Sequence, residues 1–144
     1  VGEQARIGGG GLVYAAWDKG PASGFDPMQD VLVAAGGFHA GAEDMVLVGD
    51  GLCSGKVMAP AMTTTLMAVN RPDQDYALGG RTKTLDIAGA PRLVAWEYGS
   101  NGAFRMLAWR VLADGHTVIV MNNTSFDHMK IGDLATQLMD ASYK

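Results

Sequence analysis

Glu97 stands in the stretch Trp96-Glu97-Tyr98-Gly99-Ser100-Asn101-Gly102-Ala103-Phe104, with apolar residues leading in and following. The pattern reads as a strand that stops and restarts with a carboxylate at its centre. A carboxylate held at such a point could work as a general base or acid. The plainer reading is a solvated strand residue, or an ion-pair partner for Arg92 or Arg110. Other reactive side chains are scattered. His39, His116 and His128 lie far apart, without a ligand spacing such as His-x-x-x-His, so neither metal nor cofactor is expected. Glu43 and Asp44 are adjacent and point to different sides of a helix, so they do not form a catalytic pair. They suit a first helical turn, where carboxylates oppose the positive helix end. The single cysteine, Cys53, excludes an intrachain disulfide and a multi-thiolate site. On the apolar side of a helix it reads as a small core residue. The run Gly8 to Gly11 lacks the Lys-Ser/Thr of a phosphate loop and reads as loop.

Composition limits the partners. At 144 residues the chain fits one domain, divided into an irregular lead-in (1–33), a helical segment (34–72) and a region of antiparallel strands with a terminal helix (73–144). With 48% hydrophobic and 18% charged residues the balance is globular. No apolar run nears the roughly 20 residues that span a bilayer, so no membrane partner is expected. The net charge of -4, without a Lys/Arg cluster, argues against nucleic acid. Val1 is not followed by a basic region and apolar core, so no export signal is visible.

These residues need elements to position them. One strand is expected around Leu12 to Ala16. Gly41 can cap a helix that carries Met45, Val48 and Leu52 on one face and stops at Gly55. Pro60 suits the first turn of a second helix, with Met62, Leu66 and Val69 as its stripe and Arg71-Pro72 as its end. Then the period changes. Tyr76 to Gly80 and Leu93 to Tyr98 read as strands. Phe104 to Leu112 and Thr117 to Met121 form a hairpin around Asp114-Gly115, which leaves His116 exposed. Val118 to Met121 is apolar on both faces and is placed inside the sheet, with helices above and below. Ile131, Leu134, Ala135, Leu138 and Met139 predict a helix from about Asp127 to Ser142. The fold class is α+β, an antiparallel sheet with helices packed on it.

Several of these segments, in this order, resemble one known family. Ala34-Ala35-Gly36-Gly37-Phe38 through Asp44-Met45, then Leu52-Cys53-Ser54-Gly55, are similar to the helical segment of the serine β-lactamase and penicillin-binding-protein-like family, above all its class C, D-amino-acid peptidase and esterase relatives. Tyr76-Ala77-Leu78-Gly79-Gly80 resembles their tyrosine-glycine-leucine-glycine-tryptophan strand. Glu97 to Phe104 resembles their histidine/lysine-x-glycine strand and its following turn. Asp114 to Thr124 is similar to their closing hairpin.

The resemblance implies the C-terminal part of that fold, a periplasmic or secreted setting, and acyl transfer on a small amide or ester. Position by position, Glu97 takes the place of the family's lysine or histidine, Tyr98 that of its threonine and Gly99 that of its glycine. Ser100 takes that of the backbone donor to the oxyanion. The nucleophile motif Ser-x-x-Lys and the Tyr-x-Asn motif are both missing, and a carboxylate at 97 would repel an oxyanion. Two expectations follow. In one, the chain is part of a hydrolase, completed by an N-terminal segment that supplies the nucleophile. In the other it is a non-catalytic module that binds through the Gly36 to Ala40 loop, or forms a homo-oligomer through an exposed sheet edge.

Overall fold

The computed structural model describes residues 13–14, 21–23, 40–101, 104–122 and 127–144. Strand β1 (Val13–Tyr14) falls where one was expected and pairs antiparallel with β2 (Pro21–Ser23). Helices α1 (Ala42–Cys53) and α2 (Pro60–Met67) follow. Then come β3 (Val69–Arg71), β4 (Tyr76–Ala77), β5 (Gly80–Ile87), β6 (Ala90–Asn101), β7 (Phe104–Val111) and β8 (Thr117–Asn122). The chain closes with α3 (His128–Ala141). Strands β3 to β8 form one six-stranded sheet in chain order, with every neighbouring pair antiparallel. The fold is therefore α+β, a meander with helices packed against it.

The core lies on one face of this sheet. Ile87, Val94, Leu107, Trp109, Val111 and Val118 alternate inward along their strands and meet α3. Ile131, Ala135 and Met139 answer from three successive turns of α3, all but fully buried. Their spacing of four residues puts them on one helix face. Asp127 caps the helix by accepting the Met129 N–H at 2.9 Å. At the other end Tyr143 is clamped to the β7–β8 turn. Its hydroxyl donates to both Asp114 oxygens, at 2.9 and 2.8 Å. Its ring stacks on His116 at 4.1 Å and carries the Arg92 guanidinium at 3.8 Å. His116 is thus half-buried rather than exposed, because α3 returns over the turn. Gly115 has φ +83, a left-handed conformation that favours glycine at this turn.

The opposite face is covered less tightly. Helices α1 and α2 contain no buried residue. Gly41 does cap α1, and its N–H donates to Asp44 Oδ2 at 3.0 Å. Met45 to Val48 are contiguous, however, so the apolar groups spread around the helix. Its sheet side is taken by Gly49 and Asp50, which meet Arg110. Cys53 is consequently half-exposed and not a core residue. Helix α2 stops at Met67, short of the expected end. Val69–Arg71 leaves it to pair with β4, and Val69 does not join Met62 and Leu66 in a stripe.

Two further corrections concern the sheet. Strand β5 and its hairpin to β6 have no apolar alternation to announce them. Residues 81–87 run Arg-Thr-Lys-Thr-Leu-Asp-Ile, and the buried side toward α2 is held by Thr82, whose hydroxyl donates to the Met67 carbonyl at 2.9 Å. The hairpin turns on Ala88 and Gly89, with φ 51 and 75, a two-residue loop of the mirror-image kind. Strand β8 is outermost among the described residues, not interior. Its two apolar faces are explained by α1 on one side and α3 on the other. The Gly8 to Gly11 run, His39 and most of the Gly36 to Ala40 loop lie outside the described residues.

Two predictions follow from these contacts. Ala88 holds a left-handed conformation that asparagine tolerates better, and its N–H already donates to Asp140 Oδ1 at 2.9 Å. Ala88→Asn should therefore raise stability by about 0.5 kcal/mol in urea titrations. The second concerns pH. Burial pushes the Asp114 carboxyl up, but the Tyr143 hydroxyl, the His116 N–H and the His116 and Arg92 charges outweigh it, so Asp114 titrates below its ordinary value. Burial and the Asp114 contact hold Tyr143 above its ordinary value. A lowered carboxylate stabilises above its unfolded pKa of about 3.9, and that stability is lost as pH falls through the folded value. A raised phenol stabilises below about 10 and loses that on the alkaline side. Asp114→Asn should thus flatten the acid limb of the stability curve below about pH 4, measured by thermal melts. An unchanged acid limb would count against the clamp.

Candidate functional site

Strand β6 is the longest in the sheet, with 12 residues. It pairs with β5 from Ala90 to Trp96 and with β7 from Val94 to Asn101. From Glu97 onward it therefore outruns β5 and is laddered on one side. The edge of β6 beyond β5 is where Glu97, Tyr98, Gly99 and Ser100 sit. Sequence adjacency had grouped these four, and the ladder keeps them together at one place.

Their backbone directions follow from the ladder. The Leu112 N–H donates to the Leu93 carbonyl at 3.0 Å, so odd-numbered residues of β6 point their amides toward β7. Even-numbered ones point the other way. Tyr98 and Ser100 thus direct their N–H groups to the side that β5 has vacated. At Tyr98 that amide is taken by a side chain of the same strand. Glu97 Oε1 accepts it at 3.1 Å. Ser100 is exposed on the same edge. Gly99 has room for a side chain, since a Cβ there would make only ordinary contact with Met106 Cε at 3.6 Å.

Glu97 is occupied. Its Oε1 also accepts from Arg81 Nη1, in a charge-assisted bond between β6 and β5. Arg81, not Arg92 or Arg110, is its partner. Arg92 instead pairs with Asp114, and Arg110 with Asp50 and Thr117. The Arg81 guanidinium is held in turn by two rings, 4.3 Å from the centroid of Tyr76 and 5.1 Å from that of Trp96. Lys83 Nζ lies 4.9 Å from the Trp96 ring. A cation therefore does reach the strand end where residue 97 itself is acidic. Sequence reasoning missed Arg81 because β5 was not recognised. The signal was the pairing of residue 81 with residue 96, which no local pattern reveals.

The arrangement can orient a backbone and hold a fixed cation–carboxylate pair. One oxygen of Glu97, Oε1, is shared by a guanidinium and an amide, which ties the carboxylate to its own sheet. Among the described residues no group of three or more His, Cys, Asp or Glu side chains could hold a metal ion, and no helix is long and apolar enough to cross a membrane. Comparison with protein-family models, with curated proteins and with solved structures returns no match.

The pair is partly exposed, with 41% of the Glu97 side chain and 28% of the Arg81 side chain open to solvent. Solvent screening keeps its contribution small, about 1 kcal/mol or less. Glu97→Gln and Arg81→Gln should each lower stability by about that amount, and the double variant should lose little more than either alone. A strictly additive double-mutant cycle would show that the two side chains do not interact.

Proposed function

We propose that this chain, by itself, is a non-catalytic assembly module on a β-lactamase-like scaffold. The observation that carries the reading is the occupied state of Glu97. At the position where the resembling family places a basic residue, the chain has a carboxylate. That carboxylate is bound to Arg81 and to the Tyr98 N–H rather than poised toward a substrate. With no Ser-x-x-Lys in the sequence, the acyl-transfer step has no nucleophile within this chain. What is left is a scaffold that presents strand edges and apolar helix surface.

A second reading keeps the chemistry. Ser100 directs its amide to the vacated edge of β6, as an oxyanion donor would, and the same strand end holds a cation, Arg81, paired with Glu97. In that reading the chain supplies one wall of a serine hydrolase acting on an amide or ester. A separate segment, from another chain or from the rest of the same polypeptide, brings the nucleophile.

Covalent labelling separates the two. The chain alone, incubated with a fluorophosphonate probe and with a chromogenic β-lactam or a p-nitrophenyl ester, should show neither label nor turnover. Labelling of the chain alone sinks the non-catalytic proposal. Labelling that appears only after a Ser-x-x-Lys segment is added establishes the second reading.

A further inference from the structure

The two edges of the sheet differ in kind. Strand β3 is three residues long, runs into Pro72, and carries Arg71, which pairs with Asp73. Short length, proline and charge are the devices that keep an edge from pairing. Strand β8 has none of them. Its residues 117–122 read Thr-Val-Ile-Val-Met-Asn, without charge, proline or glycine, and β-branched in four of six positions. Among the described residues no strand lies along its outer side.

The surroundings of β8 extend the same surface. One face carries α1 and the other α3. Both helices expose large apolar side chains: Leu47 at 69% and Val48 at 52% on α1, Leu134 and Leu138 on α3. The edge is thus the middle layer of three, with a helix that exposes apolar side chains on each face. A lone strand pair buries too little for a stable dimer, which takes about 1,200 Å² or more in total. The exposed apolar side chains of α1 and α3 are the surface available to supply the rest.

We propose that β8 pairs antiparallel with β8 of a second copy, joining the two sheets across a two-fold axis perpendicular to them. This deepens the assembly reading and rests on it. The strand is compatible with itself in every register. Antiparallel partners share a sheet face, so they have the same parity. Met121 then faces Thr117, Ile119 or Met121 of the copy, and Val118 faces Val118, Val120 or Asn122. No pairing opposes charges or strands a proline. The axis also brings α1 beside α1 and α3 beside α3, so each helix layer continues across the seam. Such an interface is isologous and closed, and the six-stranded sheet has no further edge of this kind among the described residues to propagate a fibre.

Sedimentation velocity over a concentration series tests this on the full chain. The expected result is a dimer that dissociates on dilution. Met121→Lys, at the most exposed position of β8, sets like charges near one another across the axis and should raise the dissociation constant at least about tenfold. Circular dichroism checks that the variant is folded. Hydrogen exchange on the unaltered chain is the second measurement, and needs no variant. Outward amides of residues 117–121 should become protected as concentration rises. A monomer at every concentration overturns the proposal, and if its β8 amides are protected nonetheless, an upstream strand of the same chain is the occupant. A dimer that Met121→Lys leaves intact places the contact elsewhere and overturns it too. Neither outcome bears on catalysis, whereas fluorophosphonate labelling of the chain alone strikes the non-catalytic reading and leaves the dimer standing.

Discussion

The seal between α3 and one face of the sheet sets the terms for the rest of the molecule. Ile131, Ala135 and Met139 close over Val94, Leu107 and Val111, and this is where water is excluded. Apolar burial is the main driving force available to a chain of this size, at about 25 cal/mol per Å². A helix at the C-terminus delivers it only when the strands are already side by side. The Tyr143–Asp114 clamp and the Ala88–Asp140 bond fix its position at points far apart in sequence. They tie the C-terminal end of the helix to the β7–β8 turn and to the β5–β6 turn, so polar contacts anchor that end and apolar ones supply the grip along its length.

The other face is held by a different kind of contact. Arg110 reaches from β7 to Asp50 of α1, and Thr82 reaches from β5 to the end of α2. Lys56 and then Arg110 keep the Asp50 carboxyl below its ordinary value, so it stays ionised and paired at neutral pH. These are directional bonds with little apolar burial beneath them. Such bonds contribute modestly in net terms, because water competes for the same groups. Helices attached in this way open at lower cost than α3 does. The chain thus has one sealed side and one loosely attached side. The exposed edge residue Ser100 and the apolar side chains of α1 belong to the parts that are not committed to the core, whereas Tyr98 packs against it.

Local chemistry made some of this legible in the sequence. Asp114-Gly115 announces its hairpin because the turn needs left-handed backbone, and the α3 stripe announces itself because a helix buries every third or fourth residue. Ala88-Gly89 makes a turn of comparable tightness with a residue that does not favour it, so no signal shows. Strand β5 hides for a related reason: threonine and the stems of charged residues fill its half-buried positions, and hydropathy does not alternate. At the site, the grouping of Glu97, Tyr98, Gly99 and Ser100 was visible as a run of residues. What Glu97 does was not, because its partner sits sixteen residues upstream on a strand that had not been recognised.

Strand β8 shows where hydropathy stops being informative. An apolar pattern on both faces says that both faces are covered. It says nothing about the two backbone edges, since N–H and C=O groups are the same for every residue. Interior and edge strands therefore look alike whenever helices lie above and below. Only protective features mark an edge, and they do so when they are present, as Pro72 and Arg71 do beside β3. Their absence from β8 reads as interior to any rule based on side chains, and that is the position it was assigned. The pattern would be correct for a β8 that is paired on its outer side. Taken this way, a strand whose side chains are those of an interior strand, and whose place in the sheet is the edge, is a reason to look for the strand that completes it.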